Sequence, residues 1–314
     1  MSVLITGAGL VGSQIARLEQ EAGRTPVLFD VAPRLDALAD FVDLDKAVIV
    51  RGDITNPLDL VAAITANGVR RIVHTAAFGG LAVGSKAAPL TSTAVNVMGT
   101  AYVLETARVL GLDRVVLASS SGVYTGMRGG EDDGQYGFEE AHPRPGDVYA
   151  ENKQAAEDLG RAYRASFGLD VVAVRYAAVF GPWGPGGGGI ATTAVERWLR
   201  SALAGEPAEI NFSGLDWVYS KDAAKGTFRA CWAEGPLSPL YNLGMGRPSG
   251  AEEIADVINA MEPGDCAKVS PSPVTAVRPA MSIERARREL GFEVEFPIDL
   301  ALRDYRDWIA ARPR

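Results

Sequence analysis

The chain has 314 residues, of which 47% are apolar and 22% charged, with a formal net charge of -8. That length holds a large core, about two lobes at roughly 150 residues each, and the acidic balance repels phosphate backbones, which excludes nucleic-acid binding as the main activity. Two cysteines, Cys231 and Cys266, lie far apart and form no CxxC, so they cannot supply a zinc site by themselves, and with only two histidines, His74 and His142, no metal is expected.

Short apolar runs alternate with helical patterns through the first half. Val3–Thr6, Pro26–Phe29, Val48–Val50, Arg71–Thr75, Val115–Ala118 and Val171–Val174 read as strands. They are β-branched and nearly continuously apolar, as parallel strands covered on both faces must be. Helices are expected over Val11–Glu21, after Asn56 with Pro57 in the first turn, over Thr93–Leu110, and over Val148–Phe167 ending at Gly168. Strand–helix alternation of this kind predicts an α/β fold with a doubly wound parallel sheet. After Arg175 the pattern changes. Gly181-Pro182-Trp183-Gly184-Pro185 and the run Gly186–Gly189 cannot form a regular element. A plain surface loop and a lid over a pocket are both consistent with it. Helical patterns return at Ala191–Ala204, Ala251–Ala260, Ile283–Leu290 and Ile298–Ala311. The expected division is a nucleotide-binding domain over 1–176 plus about 212–240. A smaller C-terminal α/β substrate lobe takes 177–211 and 241–314. No run approaches the ~18–20 apolar residues of a membrane span. The first residues carry no basic, cleavable leader pattern, so a cytoplasmic protein is expected.

Gly7-Ala8-Gly9-Leu10-Val11-Gly12 follows the first strand and opens the first helix. Glycines there permit a tight turn and let backbone N–H groups approach a pyrophosphate at the helix N-terminus. Alone the pattern is weak. Asp30, at the end of the next strand and about 20 residues on, strengthens it. A carboxylate at that point accepts hydrogen bonds from a ribose 2′-hydroxyl and repels a 2′-phosphate, which selects NAD over NADP. Tyr149-Ala150-Glu151-Asn152-Lys153 places a phenol and an ammonium four residues apart on one helix face. A free tyrosine titrates near pH ~10 and is a poor base at neutral pH, but a neighbouring cation favours the phenolate. Such a phenolate removes a proton from an alcohol while hydride leaves the same carbon. Ser119-Ser120-Ser121 stands at the carboxyl end of a strand, where open α/β sheets bind ligands.

Together these residues resemble the extended short-chain dehydrogenase/reductases, the NAD-dependent epimerase/dehydratase family, over nearly the whole chain. The carrying segments are Thr6–Gly12, Gly52-Asp53-Ile54, His74-Thr75-Ala76-Ala77, Val95-Asn96-Val97-Met98-Gly99-Thr100, Ser119–Tyr124, Tyr149–Lys153, Phe180-Gly181-Pro182, Asp216-Trp217-Val218-Tyr219 with Asp222, Tyr241–Gly244 and Arg287–Phe292. The first glycine turn is one residue shorter than the family's TGxxGxxG. The resemblance implies a Rossmann-type fold. It implies NAD held by Gly7, Gly9, Leu10, Val11, Gly12, Asp30, Asp53, Ile54, Ala76, Ala77, Asn96, Tyr149, Lys153, Tyr176 and Val179. It makes Ser120, Tyr149 and Lys153 the catalytic set, with Asn96 supporting a proton relay through water, and gives His74 a structural role. Ser120, Ser121, Tyr149 and Ala178 would face the substrate.

Two departures bear on that substrate. Leu215 stands where relatives acting on nucleotide sugars carry an arginine, and Ala178 where they carry an asparagine. A diphosphate needs cationic or multiple N–H partners, and Arg247 and Arg278 are the candidates left to supply them. Ser121 and Gly122 replace the Asp-Glu pair expected of dehydratases, which disfavours dehydration. The leading expectation is an NAD-dependent dehydrogenase for a secondary alcohol on a small polar molecule, such as a sugar or hydroxy acid. The alternative is a sugar or nucleotide-sugar epimerase that reuses bound NAD through a keto intermediate. A non-catalytic NAD-binding regulator ranks third, because Tyr149 and Lys153 are both present. The helices 93–110 and 148–167 are apolar beyond one face, and the resemblance implies that they pair across a two-fold axis into a homodimer.

Overall fold

The computed structural model describes residues 2–78, 81–125, 137–184, 188–212, 214–262, 264–271 and 280–312. The first half runs β1 (Ser2–Thr6), α1 (Leu10–Glu21), β2 (Val27–Asp30), α2 (Leu35–Leu38), β3 (Val48–Arg51), α3 (Pro57–Ala66), β4 (Val69–His74), α4 (Leu81–Ala87), α5 (Pro89–Thr93), α6 (Gly99–Val109), β5 (Arg114–Ser120), α7 (Val148–Phe167) and β6 (Val171–Tyr176). The second half runs β7 (Ala178–Phe180), α8 (Ile190–Leu203), β8 (Ala208–Ile210), β9 (Leu215–Tyr219), α9 (Ser220–Trp232), β10 (Leu240–Leu243), β11 (Pro248–Ser249), α10 (Ala251–Met261), β12 (Ala267–Val269), α11 (Glu284–Leu290) and α12 (Ile298–Ala310).

Seven parallel strands form the main sheet in the order β10-β6-β5-β4-β1-β2-β3. The chain moves outward from β1 to β3 and then crosses to β4 on the other side of β1. That reversal opens a crevice above the carboxyl ends of β1 and β4, the place where doubly wound sheets take ligands. Alternate side chains of each strand go to opposite cores. Val3, Ile5, Leu28, Val73, Val116 and Val172 face α1 and α9. Leu4, Val27, Phe29, Ile72, Val115 and Val171 face α3, α6 and α7. This explains the uninterrupted apolar runs, since neither face meets water.

Two readings of the sequence are corrected here. The expected helix 93–110 is interrupted. Ala94–Met98 form one wide π-turn between α5 and α6. Hydroxyls bond back onto carbonyls on both sides of it, Thr93 Oγ1 to Pro89 O at 2.9 Å and Thr100 Oγ1 to Asn96 O at 2.7 Å. Such bonds bend helices. The domain division also shifts. β10 pairs with β6 at the edge of the main sheet, and α11 packs on β10 and α9, so both sit with the nucleotide-binding side. β9 instead pairs with β7 and β11 in a separate three-stranded sheet. Together with the β8–β12 pair and helices α8, α10 and α12, this sheet encloses a second core around Phe180, Trp198, Trp217, Ile254, Leu302 and Tyr305. Tertiary pairing decides these memberships, and short apolar strands look alike in sequence whichever sheet they join.

Candidate active site

The glycine turn leaves β1 with Gly7 at φ 85°, where a side chain is disfavoured. A Cβ at Gly7 would lie 2.6 Å from Ala76 N, and one at Gly12 only 2.0 Å from Gly7 O. These two glycines are therefore required by packing against the β4 strand end, Thr75–Ala76, and within the turn itself. Gly9 differs, because a Cβ there meets nothing within 4 Å. Gly9 is also the N-cap of α1, with no side-chain cap and no acidic residue in the first turn. Open space above an uncapped helix N-terminus fits a pyrophosphate, which Leu10, Val11 and Gly12 would meet with backbone N–H groups. The shortened turn is closed by Asp30. Its carboxylate accepts from Ala8 N at 2.8 Å and from Ala32 N at 2.9 Å, which fixes it at the lip of the crevice. Asp53 accepts from Thr55 N at 2.8 Å, while Ile54 is buried against Gly99.

The side chains expected to react meet over the carboxyl end of β5. Asp147 caps α7 by accepting from Ala150 N at 2.9 Å, and this sets the first turn that carries Tyr149. Ser120 ends β5, accepts from Gly122 N at 3.0 Å, and faces the Tyr149 hydroxyl closely enough to favour its ionised form. Ser121 opens the short 3-10 turn that follows. Lys153 Nζ donates to Ala118 O at 2.8 Å and lies 5.8 Å from the centre of the Tyr149 ring. Burial pushes the Tyr149 phenol up to about 12, against a smaller opposite effect of Ser120. Burial pulls the Lys153 ammonium down to about 8, partly offset by Glu157. Both groups thus bear the cost of leaving water in the less charged direction. In the protein alone the phenol stays neutral at pH 7 and the lysine remains mostly cationic.

His74 lies under this layer, between Thr6 Oγ1 at 2.6 Å and Thr100 Oγ1 at 3.1 Å. Burial, with Lys153 nearby, lowers it to about 3, so it is neutral and structural. Asn96 occupies the π-turn with both ends of its amide engaged. Oδ1 accepts from Phe78 N at 2.9 Å and Nδ2 donates to Ser92 Oγ at 3.1 Å. Asn96 thereby ties the strand end past Ala76 and Ala77 to α5, and its expected support of a proton relay through water remains a proposal. The Tyr176 side chain turns away from the crevice, so a cofactor contact there would come from its backbone. Its hydroxyl bonds Thr227 Oγ1 at 2.6 Å on α9, so this side chain joins the core instead of the cofactor crevice.

On the substrate side, Ala178 and Val179 pair with Trp217 and Val218, and Val179 O accepts from Thr192 Oγ1 at 3.0 Å. Asp216 holds Met245 N and Met281 N, both at 3.0 Å, and Asp222 holds Phe296 N at 3.0 Å. Arg247 is engaged by Glu253 at 2.6 and 3.0 Å. Arg278 and residues 185–187 of the glycine-rich run lie outside the described residues. Among the described residues no three His, Cys, Asp or Glu side chains cluster to hold a metal ion, and no helix is long and apolar enough to cross a membrane. Sequence reasoning passed over Glu157 and Arg175, a fully buried pair beneath Lys153. The available signal was a carboxylate four residues after Lys153, on the same helix face, facing an arginine in an otherwise apolar strand.

The model of the NAD dependent epimerase/dehydratase family matches residues 3–244. The chain belongs to this family. It is 26% identical over 274 residues to the UDP-glucuronate 4-epimerase of Thermodesulfobacterium geofontis, covering 82% of this chain and 80% of that one. It is 28% identical over 310 residues to the dTDP-glucose 4,6-dehydratase of Streptomyces niveus, covering 93% and 88%. Among solved structures, MoeE5 in complex with UDP-glucose and NAD is similar at a TM-score of 0.81 and 26% identity, with 99% of each chain covered. The UDP-glucose 4-epimerase of Thermus thermophilus with NAD shares the fold at a TM-score of 0.83 and 24% identity, over 99% of this chain and 100% of that one. This family member is therefore an NAD-dependent enzyme with a Rossmann-type α/β fold. The balance between the two enzymatic readings reverses, because these relatives favour epimerisation over simple dehydrogenation.

Proposed function

We propose that the enzyme is a sugar epimerase of the 4-epimerase type. It would oxidise a secondary alcohol, let the ketone turn, and reduce it on the other face with no net consumption of NAD. The observation that carries this reading is the grouping of Ser120, Tyr149 and Lys153 at the carboxyl end of β5, in a chain aligned over most of its length with a UDP-glucuronate 4-epimerase. Ser120 holds the alcohol oxygen, and Tyr149 Oη takes the hydroxyl proton. Lys153, cationic at neutral pH and anchored on Ala118 O, stabilises the phenolate. NAD supplies the hydride acceptor and a positive nicotinamide ring when bound. Tyr149 begins near 12, so reaching phenolate at pH 7 takes about 5 units, or about 7 kcal/mol of differential stabilisation. Because that value already holds with Lys153 in place, the bound cofactor's charge and the closer approach of Lys153 in the loaded site would have to supply it. In the return step Tyr149 gives the proton back to the new hydroxyl.

A second reading, dehydrogenation of a small polar alcohol, draws on the substrate side. Leu215 and Ala178 provide no cation or amide, and Arg247 is engaged by Glu253. The deciding test is the cofactor content of purified, denatured enzyme, combined with UDP-glucuronate turnover followed by chromatography. Epimerisation predicts stoichiometric NAD carried through purification and conversion without added NAD. Cofactor-free enzyme that reduces added NAD in proportion to a small alcohol would establish the dehydrogenase.

A further inference from the structure

One helical turn beyond Lys153, the fold buries a charged network that the chemistry above leaves unused. Glu157 and Arg175 are 4% and 1% exposed. Glu157 Oε1 accepts from Arg175 Nε at 2.8 Å and from Ser119 Oγ at 2.5 Å, and Oε2 accepts from Arg175 Nη2 at 2.5 Å. Arg175 Nη1 donates to the Tyr124 hydroxyl, which lies 3.2 Å from Asn242 Oδ1 on β10 and 3.1 Å from Phe138 O. Each member adjoins a reactive residue. Ser119 precedes Ser120, and Tyr124 ends the 3-10 turn that Ser120 caps. Ser119 and Arg175 are register partners on β5 and β6, directly below the pair Ser120 and Tyr176. Glu157 shares the buried face of α7 with Lys153.

A buried ion pair contributes little net stability, because desolvation offsets the attraction, and an apolar pair of equal volume serves packing as well. A stability role thus leaves unexplained why a carboxylate sits at this one turn. We propose that Glu157 is a positioning residue: clamped by Arg175 and Ser119, its carboxylate fixes α7 against the carboxyl end of β5 and holds the Lys153 ammonium in place and charged. The other groups around Lys153 leave this part to Glu157. His74 from β4 is neutral above about pH 3, and Tyr149 is neutral up to about 12. Asn96 and Asn152 carry no charge. Asp147 lies at the far end of the first turn and acts on Tyr149. Arg175 and Tyr124 reach this region through Glu157 itself, and Glu139 faces Arg175 and Tyr124 from the far side.

This inference rests on Lys153 serving Tyr149, and its test is independent of the substrate. In the enzyme without substrate, the midpoint of Lys153 titration is read by competitive acetylation with acetic anhydride and peptide mass spectrometry across pH 6–11. Glu157→Gln is expected to lower that midpoint by about one unit, the effect of removing one close opposite charge. Glu157→Asp keeps the charge with a shorter reach, and is expected to lose stability but stay close to the parental midpoint. Should Glu157→Gln not fold, Glu157→Gln with Arg175→Gln removes the orphaned arginine and is expected to show the same direction of shift. With a turned-over substrate, the alkaline limb of kcat moves down with the Lys153 midpoint. Equal losses of stability in the Gln and Asp variants with an unmoved Lys153 midpoint would overturn the proposal, whatever the activity. A shifted midpoint with no sugar turned over would leave Glu157 in its role and remove the epimerase reading.

Discussion

Replacing Gly12 by Ala tests the shortened turn most directly. The new Cβ would sit 2.0 Å from Gly7 O, 3.1 Å from Gly7 C and 3.3 Å from Thr75 Oγ1. The first contact must open beyond 3.0 Å, and the atom it meets belongs to backbone. Gly7 cannot retreat, because its own Cβ position already lies against Ala76 and its N–H is held by Phe29 O at 2.8 Å. The helix start must move instead, stretching Ser13 N to Gly9 O, now 2.9 Å. Overpacking costs about 1–3 kcal/mol and a weakened backbone bond about 1 kcal/mol. A total near 3 kcal/mol lowers Tm by about 4–5 °C in a chain of this size. Gly9→Ala is the control, since its Cβ meets open space at φ -97° and leaves Tm within about 2 °C. If the open space is where the pyrophosphate approaches, Gly9→Ala still weakens NAD binding at least tenfold. Thermal melts by circular dichroism and NAD titration by calorimetry separate the two effects. A Gly12→Ala protein that melts within 2 °C of the parent and binds NAD normally would refute the packing argument.

The same geometry makes further predictions. Tyr149→Phe is expected to cut kcat by about 10²–10⁴ while NAD affinity changes less than threefold, as measured by turnover and calorimetry; retained turnover removes Tyr149 as base. Asp30→Ala is expected to weaken NAD without creating tight NADP binding, because Ala8 N loses its acceptor along with the ribose; nanomolar NADP affinity in this variant would show that charge selection is its whole role. His74 titrates near 3 in the fold against an ordinary 6.5, so the unfolded chain takes up its proton first and stability present above pH 6.5 is lost as pH falls toward 3. At pH 5 this loss is about 2 kcal/mol, and His74→Gln is expected to flatten the urea midpoint between pH 7 and pH 5 by that amount; parallel profiles would show that other groups dominate. A homodimer through α6 and α7, where Val109 and Phe167 are 63% and 57% exposed, predicts a dimer in sedimentation equilibrium and a monomer for Phe167→Glu; a monomeric parent at micromolar concentration removes it.

The first six strands of the main sheet, β1 to β6, were legible because each is a short apolar run bounded by turns. Helix α7 was legible to the residue, since Asp147 caps its start and Gly168 ends it in the left-handed region at φ 68°. Local chemistry likewise marked Gly7, Gly12, Ser120, Tyr149 and Lys153, whose spacing is fixed by one turn, one strand end and one helix face. Sheet membership of β9 and β10 was not legible, because pairing between segments distant in sequence depends on which edge is free, and strands of four or five residues carry no mark of it. The commitments of polar side chains were also decided in three dimensions. Asn96 is turned to Phe78 and Ser92 by a π-turn that no periodicity signals, and Tyr176 to Thr227 by the docking of α9. Glu157 met Arg175 only when β6 was laid beside β5, since burial forces opposite charges to meet and nothing local to either residue names its partner.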